Sequence, residues 1–369
     1  MTLPYVLLID DEPELSASVL STELNQRQTV IAEVVTPGEV TKELLEKASL
    51  VLIDYQLNDW PGRAAQTQLA LMPANGLALS GVLREYCTHG ATAIALLSNQ
   101  LNILFHGISP ENRRHVLARV TSLEWMFGKT DRERVVQIEI LASGMRRIKY
   151  LSETNSLTPA SALLTENQQL SAEDGWNAAV DRCLPPVNEL AELTHGTAFA
   201  RWFLQRVLPY PTFLIDIHHV AARLGVTSES LKSALNSVNE LSNAFKEIEY
   251  AGTFAGFLGK RWHKPFLEDW LWTVTEGRSF DSTVVLDVVQ HCSEKILIPT
   301  ANGPDPVVIV GENYESTGNF SPRERCIAVF PDDWPAYADR AYVEVSDAKH
   351  DLVLRNLVMH DERWRLEED

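Results

Sequence analysis

Near-continuous apolar runs recur through the first 150 positions: YVLLI (5–9), SLVLI (49–53), TAIALL (92–97) and EWMFG (124–128), with a weaker β-branched stretch, TVIAEVV, at 29–35. Short runs without polar alternation predict strands buried on both faces. Between them lie stretches with apolar residues at helical spacing: ELSASVLSTELNQ, EVTKELLEKA, LALSGVLREYC, NRRHVLARVTSL and DRERVVQIEILASGMRRIKYL. Five strands alternating with five helices predict an α/β domain, a doubly wound five-stranded parallel sheet with helices on each side. Ligands of such sheets sit outside the carboxyl ends of the strands.

Those carboxyl ends carry reactive groups. Strand one runs into Asp10 and Asp11, strand three into Asp54, strand four into Ser98 and strand five into Lys129. A single aspartate in such a place is ordinarily a solvated strand end. Five such groups on one sheet edge are harder to dismiss, because adjacent carboxylates repel one another unless water or a cation compensates them.

This set, in this order, resembles the receiver domains of bacterial two-component response regulators, which use an acidic pair, a phosphoacceptor aspartate, a Ser/Thr and a lysine. The resemblance covers about residues 1–150 and implies a flavodoxin-like fold with Mg²⁺ as cofactor and a histidine kinase as partner. It further implies Asp54 as nucleophile and metal ligand, Asp11 as a direct ligand, Asp10 as holder of a coordinated water, and the backbone carbonyl of Gln56 as another metal oxygen. Lys129 would pair with a phosphoryl oxygen. Ser98 would donate a hydrogen bond made only in the phosphorylated state, which couples chemistry to conformation.

The sequence departs from the family's pattern in several places. The loop after Asp54 is stretched, so that Pro73 and Gly76 fall late, and NQLNILFHGISPEN is inserted after Ser98. Asn99 follows Ser98 where a smaller residue is usual, Thr130 stands where a proline is common, and Met126 occupies the usual aromatic position of strand five. The expectation is an atypical receiver with intact phosphorylation chemistry.

Composition adds a domain boundary. The chain has 369 residues, 45% hydrophobic and 22% charged, which is ordinary globular usage with room for two domains. Its net charge of −18 argues against a broad nucleic-acid footprint. Residues 1–150 carry 17 acids and 14 bases, so most of the negative charge lies beyond them. The shift coincides with the polar stretch LSETNSLTPASALLTENQQLSAEDG (151–175). The expected organisation is a receiver over 1–152, a linker over 153–175, and a mostly helical α+β domain with a mixed or β tail over 176–369. The four cysteines form no CxxC pair, no apolar run is long enough for a membrane span, and the acidic N-terminus does not read as a signal peptide. The expected location is cytoplasmic.

The second domain offers no recognisable catalytic motif, and the chain is expected not to be an enzyme beyond accepting and losing a phosphoryl group. VAARLGVTSESLKSAL (220–235) has helix-turn-helix spacing, the basis of an alternative reading as a DNA-binding regulator, yet its second helix has one lysine and no arginine. Asp216, His218 and His219 in DIHH do not suit one metal, since adjacent histidines on a helix point about 100° apart. RWFLQRVLPYPTFL and KRWHKPFLEDWLW are expected to pack a helical core. The tract WNAAVDRCLPPVNELAELTHGTAFARWFLQRVLPYP is similar to receiver-bearing proteins of bacterial anti-phage defence loci, including the phosphate-buffer component of the system called Detocs. That resemblance implies action through protein contacts, either with a separate effector or by self-association. A receiver-controlled effector enzyme is the remaining alternative.

Overall fold

The computed structural model describes residues 2–60, 63, 73, 75–87, 91–101, 113–153, 163–164, 174–183, 196–294, 297–300, 305–311 and 316–367. Most of the 153–175 linker and of the insertion after Ser98 lies outside these residues. By packing, the chain forms two compact units that are discontinuous in sequence. The first comprises Met1–Gln169, Leu184–Pro209 and Ala251–Leu258, and the second Leu170–Cys183, Tyr210–Tyr250 and Gly259–Asp369.

The first unit is built on five parallel strands, β1 (Tyr5–Ile9), β2 (Ile31–Val35), β3 (Leu50–Asp54), β4 (Ala93–Ser98) and β5 (Trp125–Gly128), in the order β2-β1-β3-β4-β5. Helices α1 (Ser16–Gln26), α2 (Lys42–Lys47), α3 (Gly76–Tyr86), α4 (Arg114–Val120) and α5 (Arg134–Glu153) connect and follow them. This is the flavodoxin-like, doubly wound arrangement. Every residue of β1, β3 and β4 is buried, whereas the edge strand β2 keeps Ile31 and Glu33 exposed. Alternate strand residues face opposite sides. Leu7, Ile9, Val51, Ile53, Ile94 and Leu96 therefore share one core with Leu45, Leu79, Leu83 and Leu117 of α2–α4.

Gly76, the first residue of α3, shows why the chain needs glycine just there. Its N–H donates to the Tyr55 carbonyl at 2.9 Å, and a Cβ would lie 2.2 Å from the Asp54 backbone oxygen. Asn75 caps the helix by accepting from the Ala78 N–H at 3.0 Å. The helix thus starts hard against the end of β3. Gly76→Ala is expected to cost about 1–3 kcal/mol through overpacking, seen as a lower urea midpoint.

The second unit follows the expected order of helices and then strands. One core gathers Val220, Leu224, Leu231, Phe245, Leu267 and Val289, and a second lies under a four-stranded sheet. That sheet runs Cys326–Val329, Ala341–Glu344, Pro306–Val310, Ser316–Pro322, with one parallel and two antiparallel pairings. The helix-turn-helix spacing does form two helices, Ile217–Leu224 and Ser228–Leu235, meeting at Gly225 with φ +69. Asp216 caps the first helix, accepting from the backbone N–H groups of His218 and His219 and from His219 Nδ1 at 2.8 Å. None of the four cysteines is in a disulfide. Among the described residues no helix is long and apolar enough to cross a membrane.

His263 is fully buried, and its Nδ1 accepts from Trp176 Nε1 at 3.1 Å, so the ring is neutral. Burial pushes its pKa down to about 3 from 6.5. As the pH falls through 6.5 towards 3, the unfolded chain binds a proton that the folded chain does not, so stability is lost across that window. His263→Gln is expected to flatten this acid limb in unfolding midpoints measured against pH.

One aromatic tract packs elsewhere than expected. RWFLQRV belongs to the sheet unit, while KRWHKPFLEDWLW lies in the second unit, as does the tail of the first tract from Tyr210 on. An amphipathic pattern declares that a face will be buried but not against what.

Candidate functional site

The carboxyl ends of β1, β3, β4 and β5 bring the expected residues to one edge. Asp10 and Asp11 directly follow β1, Asp54 and Ser98 close β3 and β4, and Lys129 follows β5. Oxygens of Asp10, Asp11 and Asp54 lie within 4.8 Å of one another. Lys129 Nζ donates to Asp54 Oδ2 at 2.9 Å and to Ser16 Oγ at 3.3 Å. The parallel register keeps the edge level: Asp54 pairs with Leu97 and Ser98 with Gly128.

Each group is held by its own backbone surroundings. Asp10 Oδ1 accepts from the Glu12 N–H at 2.8 Å. Asp11 Oδ2 accepts from the N–H groups of Asn58 and Asp59 at 2.7 and 3.3 Å, which ties the stretched loop after β3 to the acidic pair. Ser98 Oγ accepts from the Gln100 N–H at 2.9 Å. Gln56 lies two residues beyond Asp54, its backbone bridged to Asn75. At the base of the site, Asp131 binds the Gly128 N–H at 2.7 Å and forms a two-point ion pair with Arg114. Sequence reasoning missed Ser16, Asn58 and Asp59, because their roles come from backbone position and not from residue type.

Charge balance defines what the site lacks. Asp10 and Asp54 are both buried. Burial pushes the Asp54 carboxyl above its ordinary range, against the opposing pull of Lys129. It does the same to Asp10, against the Glu12 N–H. Among the described residues, one ammonium, that of Lys129, bonds to the three-carboxylate set, and all the donors are hard oxygens. This set is compatible with Mg²⁺.

No protein-family model matches the chain, and no curated protein does. Among solved structures, it is similar to the crystal structure of a response regulator receiver domain protein (CheY-like) from Methanospirillum hungatei JF-1. That match has 17% identity and a TM-score of 0.25, and covers 40% of this chain and 98% of the other. The flavodoxin-like fold of this chain rests on its own strand order.

A cation that binds only the folded state stabilises it by mass action, by about 2.7 kcal/mol at a hundred times its dissociation constant. If the three carboxylates hold Mg²⁺, the ion is expected to raise the melting temperature, and Asp11→Ala to abolish most of the rise. Without a cation, the raised Asp10 and Asp54 carboxyls favour folding fully below their unfolded value near 3.8, and that contribution is lost as pH rises through their folded values. The Mg²⁺ increment should therefore grow with pH over that range, in calorimetric scans with and without the metal.

Proposed function

We propose that this chain is a phosphoacceptor of a two-component phosphorelay, with Asp54 taking a phosphoryl group from the phosphohistidine of a histidine kinase. The observation that carries this reading is the meeting of Asp10, Asp11 and Asp54 with a lysine bonded to Asp54 at the ligand-binding edge of the sheet. In the transfer, an Asp54 carboxylate oxygen forms the O–P bond as the N–P bond of phosphohistidine breaks. The imidazole nitrogen keeps the electron pair and takes up one proton.

Asp10, Asp11, Asp54 and the Gln56 carbonyl would hold Mg²⁺, which when bound supplies the positive charge that lets an anionic phosphoryl group approach a carboxylate. Lys129 already bonds Asp54 and would follow the charge onto a phosphoryl oxygen as a compact cation. Ser98 would release the Gln100 N–H and turn its hydroxyl proton towards the phosphoryl group. Gln100 and Asn99 stand beside that hydroxyl, where they would govern access of the water that hydrolyses the acyl phosphate.

The wider role is regulation or phosphate buffering through protein contacts, in line with the defence-system resemblance of the 176–211 tract. Two features weigh against the alternatives. The second helix after Gly225 exposes Glu229, Lys232 and Ser233, too little positive charge for phosphate contacts with DNA. The second unit has a cleft of about 660 Å³ that includes Arg223, Lys264 and Arg340. Those cations are matched by Glu268, Asp339 and Glu362 respectively, so none of the three is left over to pair with an anionic ligand.

Incubation with a phosphodonor such as phosphoramidate tests the reading. One phosphoryl group per chain is expected in Mg²⁺, stable to acid and labile to base, and none in excess chelator. Equal uptake in chelator, or an adduct stable to base, would contradict it.

A further inference from the structure

The two edge strands of the sheet differ. β2 leaves residues exposed, but all four residues of β5 are buried. The covering comes from this chain. Trp125 meets Phe257 edge to face at 4.9 Å, and Gln137 Nε2 donates to the Phe257 carbonyl at 3.0 Å. Gln137, Ile140 and Gly144 form an i, i+3, i+7 stripe on α5. Gly256 approaches Ile140, and Phe254 lies so close to Gly144 that a Cβ there would be 2.2 Å from its ring. Phe254 takes φ +64, a left-handed conformation costly for a bulky residue, to sit there. Its ring stacks with Phe199 and Phe203, joining residues 251–258 to residues 196–209.

A second set of bonds ties the covering segment to the strands that carry Ser98 and Lys129. Glu124, fully buried at the start of β5, accepts from the Ile94 N–H of β4 at 2.5 Å, from Arg84 at 2.9 Å and from Arg201 Nε at 2.7 Å. Arg201 also donates to the Ser122 carbonyl at 2.6 Å. Gln205 Nε2 donates to the carbonyls of Leu123 and Glu124 at 2.7 and 3.1 Å. Gln205 lies within a π turn, Phe203–Val207, closed by the Leu208 N–H on the Phe203 carbonyl at 2.9 Å. A π turn carries one residue more than an α-helical turn and is the less stable form. Reverting it to α register would move the following chain by one residue, about 1.5 Å and 100°. Gln205 ties this turn to the Leu123 and Glu124 carbonyls at the entry to β5, so a shift there would bear directly on it.

We propose that the state of Asp54 is read within the chain: residues 196–209 and 251–258 are the partner of the β5–α5 face, and the π turn at Phe203–Val207 is the element that changes. The inference rests on Asp54 being the phosphoacceptor. When Lys129 leaves Asp54 for a phosphoryl oxygen and Ser98 turns, β4 and β5 shift at their carboxyl ends. Their amino ends share the Glu124 carboxylate, which passes the shift to Arg201, while the Leu123 and Glu124 carbonyls pass it to Gln205. Residues 254–257 occupy the part of this face formed by Trp125, Gln137, Ile140 and Gly144.

Hydrogen exchange of the full chain, read by mass spectrometry with and without phosphoramidate in Mg²⁺, tests this. Exchange over 196–209 should change by about tenfold or more on phosphorylation, and the mass in solution should stay that of the starting species. Gln205→Leu should still accept phosphate but lose the exchange change; Arg201→Lys, which keeps the charge and loses the fork, serves if that variant fails to fold. Full labelling of Asp54 with unchanged exchange over 196–209, or dimerisation that uncovers Trp125 and Phe257, would overturn this inference alone. Absence of labelling at Asp54 would overturn the phosphoacceptor reading and this inference with it.

Discussion

Asp54→Asn is expected to take up no phosphoryl group from phosphoramidate or from a kinase, a loss of at least about a hundredfold against wild type, since the amide is not a usable nucleophile. The fold should survive, because the new side chain is the same size and can still meet Lys129 through its carbonyl oxygen. The buried charge it removes is one that burial already disfavours. The Mg²⁺-free variant should therefore melt no lower than wild type, and the Mg²⁺ shift should shrink with the loss of one carboxylate. Uptake measured by intact mass, beside a melting curve, separates a chemical loss from a folding one. Lys129→Ala should fall between the two, folding and binding metal but accepting phosphate more slowly, since it removes charge stabilisation and leaves the nucleophile.

Glu124→Ala carries the second large effect, on stability. The carboxylate has no exposed surface, and its removal leaves Arg84, Arg201 and the Ile94 N–H without their shared acceptor. Breaking a buried pair from one side costs about 3–5 kcal/mol; the lower end applies here, because Arg84 and Arg201 are partly exposed and keep the Ser122 carbonyl as acceptor. For a unit of this size each kcal/mol lowers the melting temperature by about 2–4 °C, so a fall of roughly 6 °C or more is expected. Glu124→Gln, which keeps an acceptor oxygen, should lose less. An unchanged melting temperature in both variants would mean that the Arg84–Glu124–Arg201 arrangement contributes nothing to the folded state.

The parts of this molecule that are legible from sequence are those fixed by local pattern. β1, β3 and β4 fall within a residue of their apolar runs because burial on both faces leaves no polar position to blur them. Asp10, Asp11, Asp54, Ser98 and Lys129 then reach one edge because a parallel sheet puts all carboxyl ends on the same side. What depends on distant pairing is not legible. Glu124 reads as the first residue of an apolar run, and nothing nearby in sequence marks Arg201, 77 positions later, as its partner. The same holds for Asp11 and the backbone of Asn58, since an N–H donor has no residue type to read. Phe254 gives a faint signal: an aromatic between Gly252 and Gly256 suggests unusual backbone, but not the glycine on α5 that receives its ring.

The central claim is that Asp54 itself carries the phosphoryl group, and trapping the adduct tests it directly. Borohydride reduces an aspartyl phosphate to homoserine, leaving free carboxylates untouched, and peptide sequencing by mass spectrometry then locates the change. After treatment with phosphoramidate and Mg²⁺, homoserine is predicted at position 54 and at neither Asp10 nor Asp11. Homoserine at either of those two, or a phosphoryl group found on a serine or histidine with position 54 unaltered, would contradict the account.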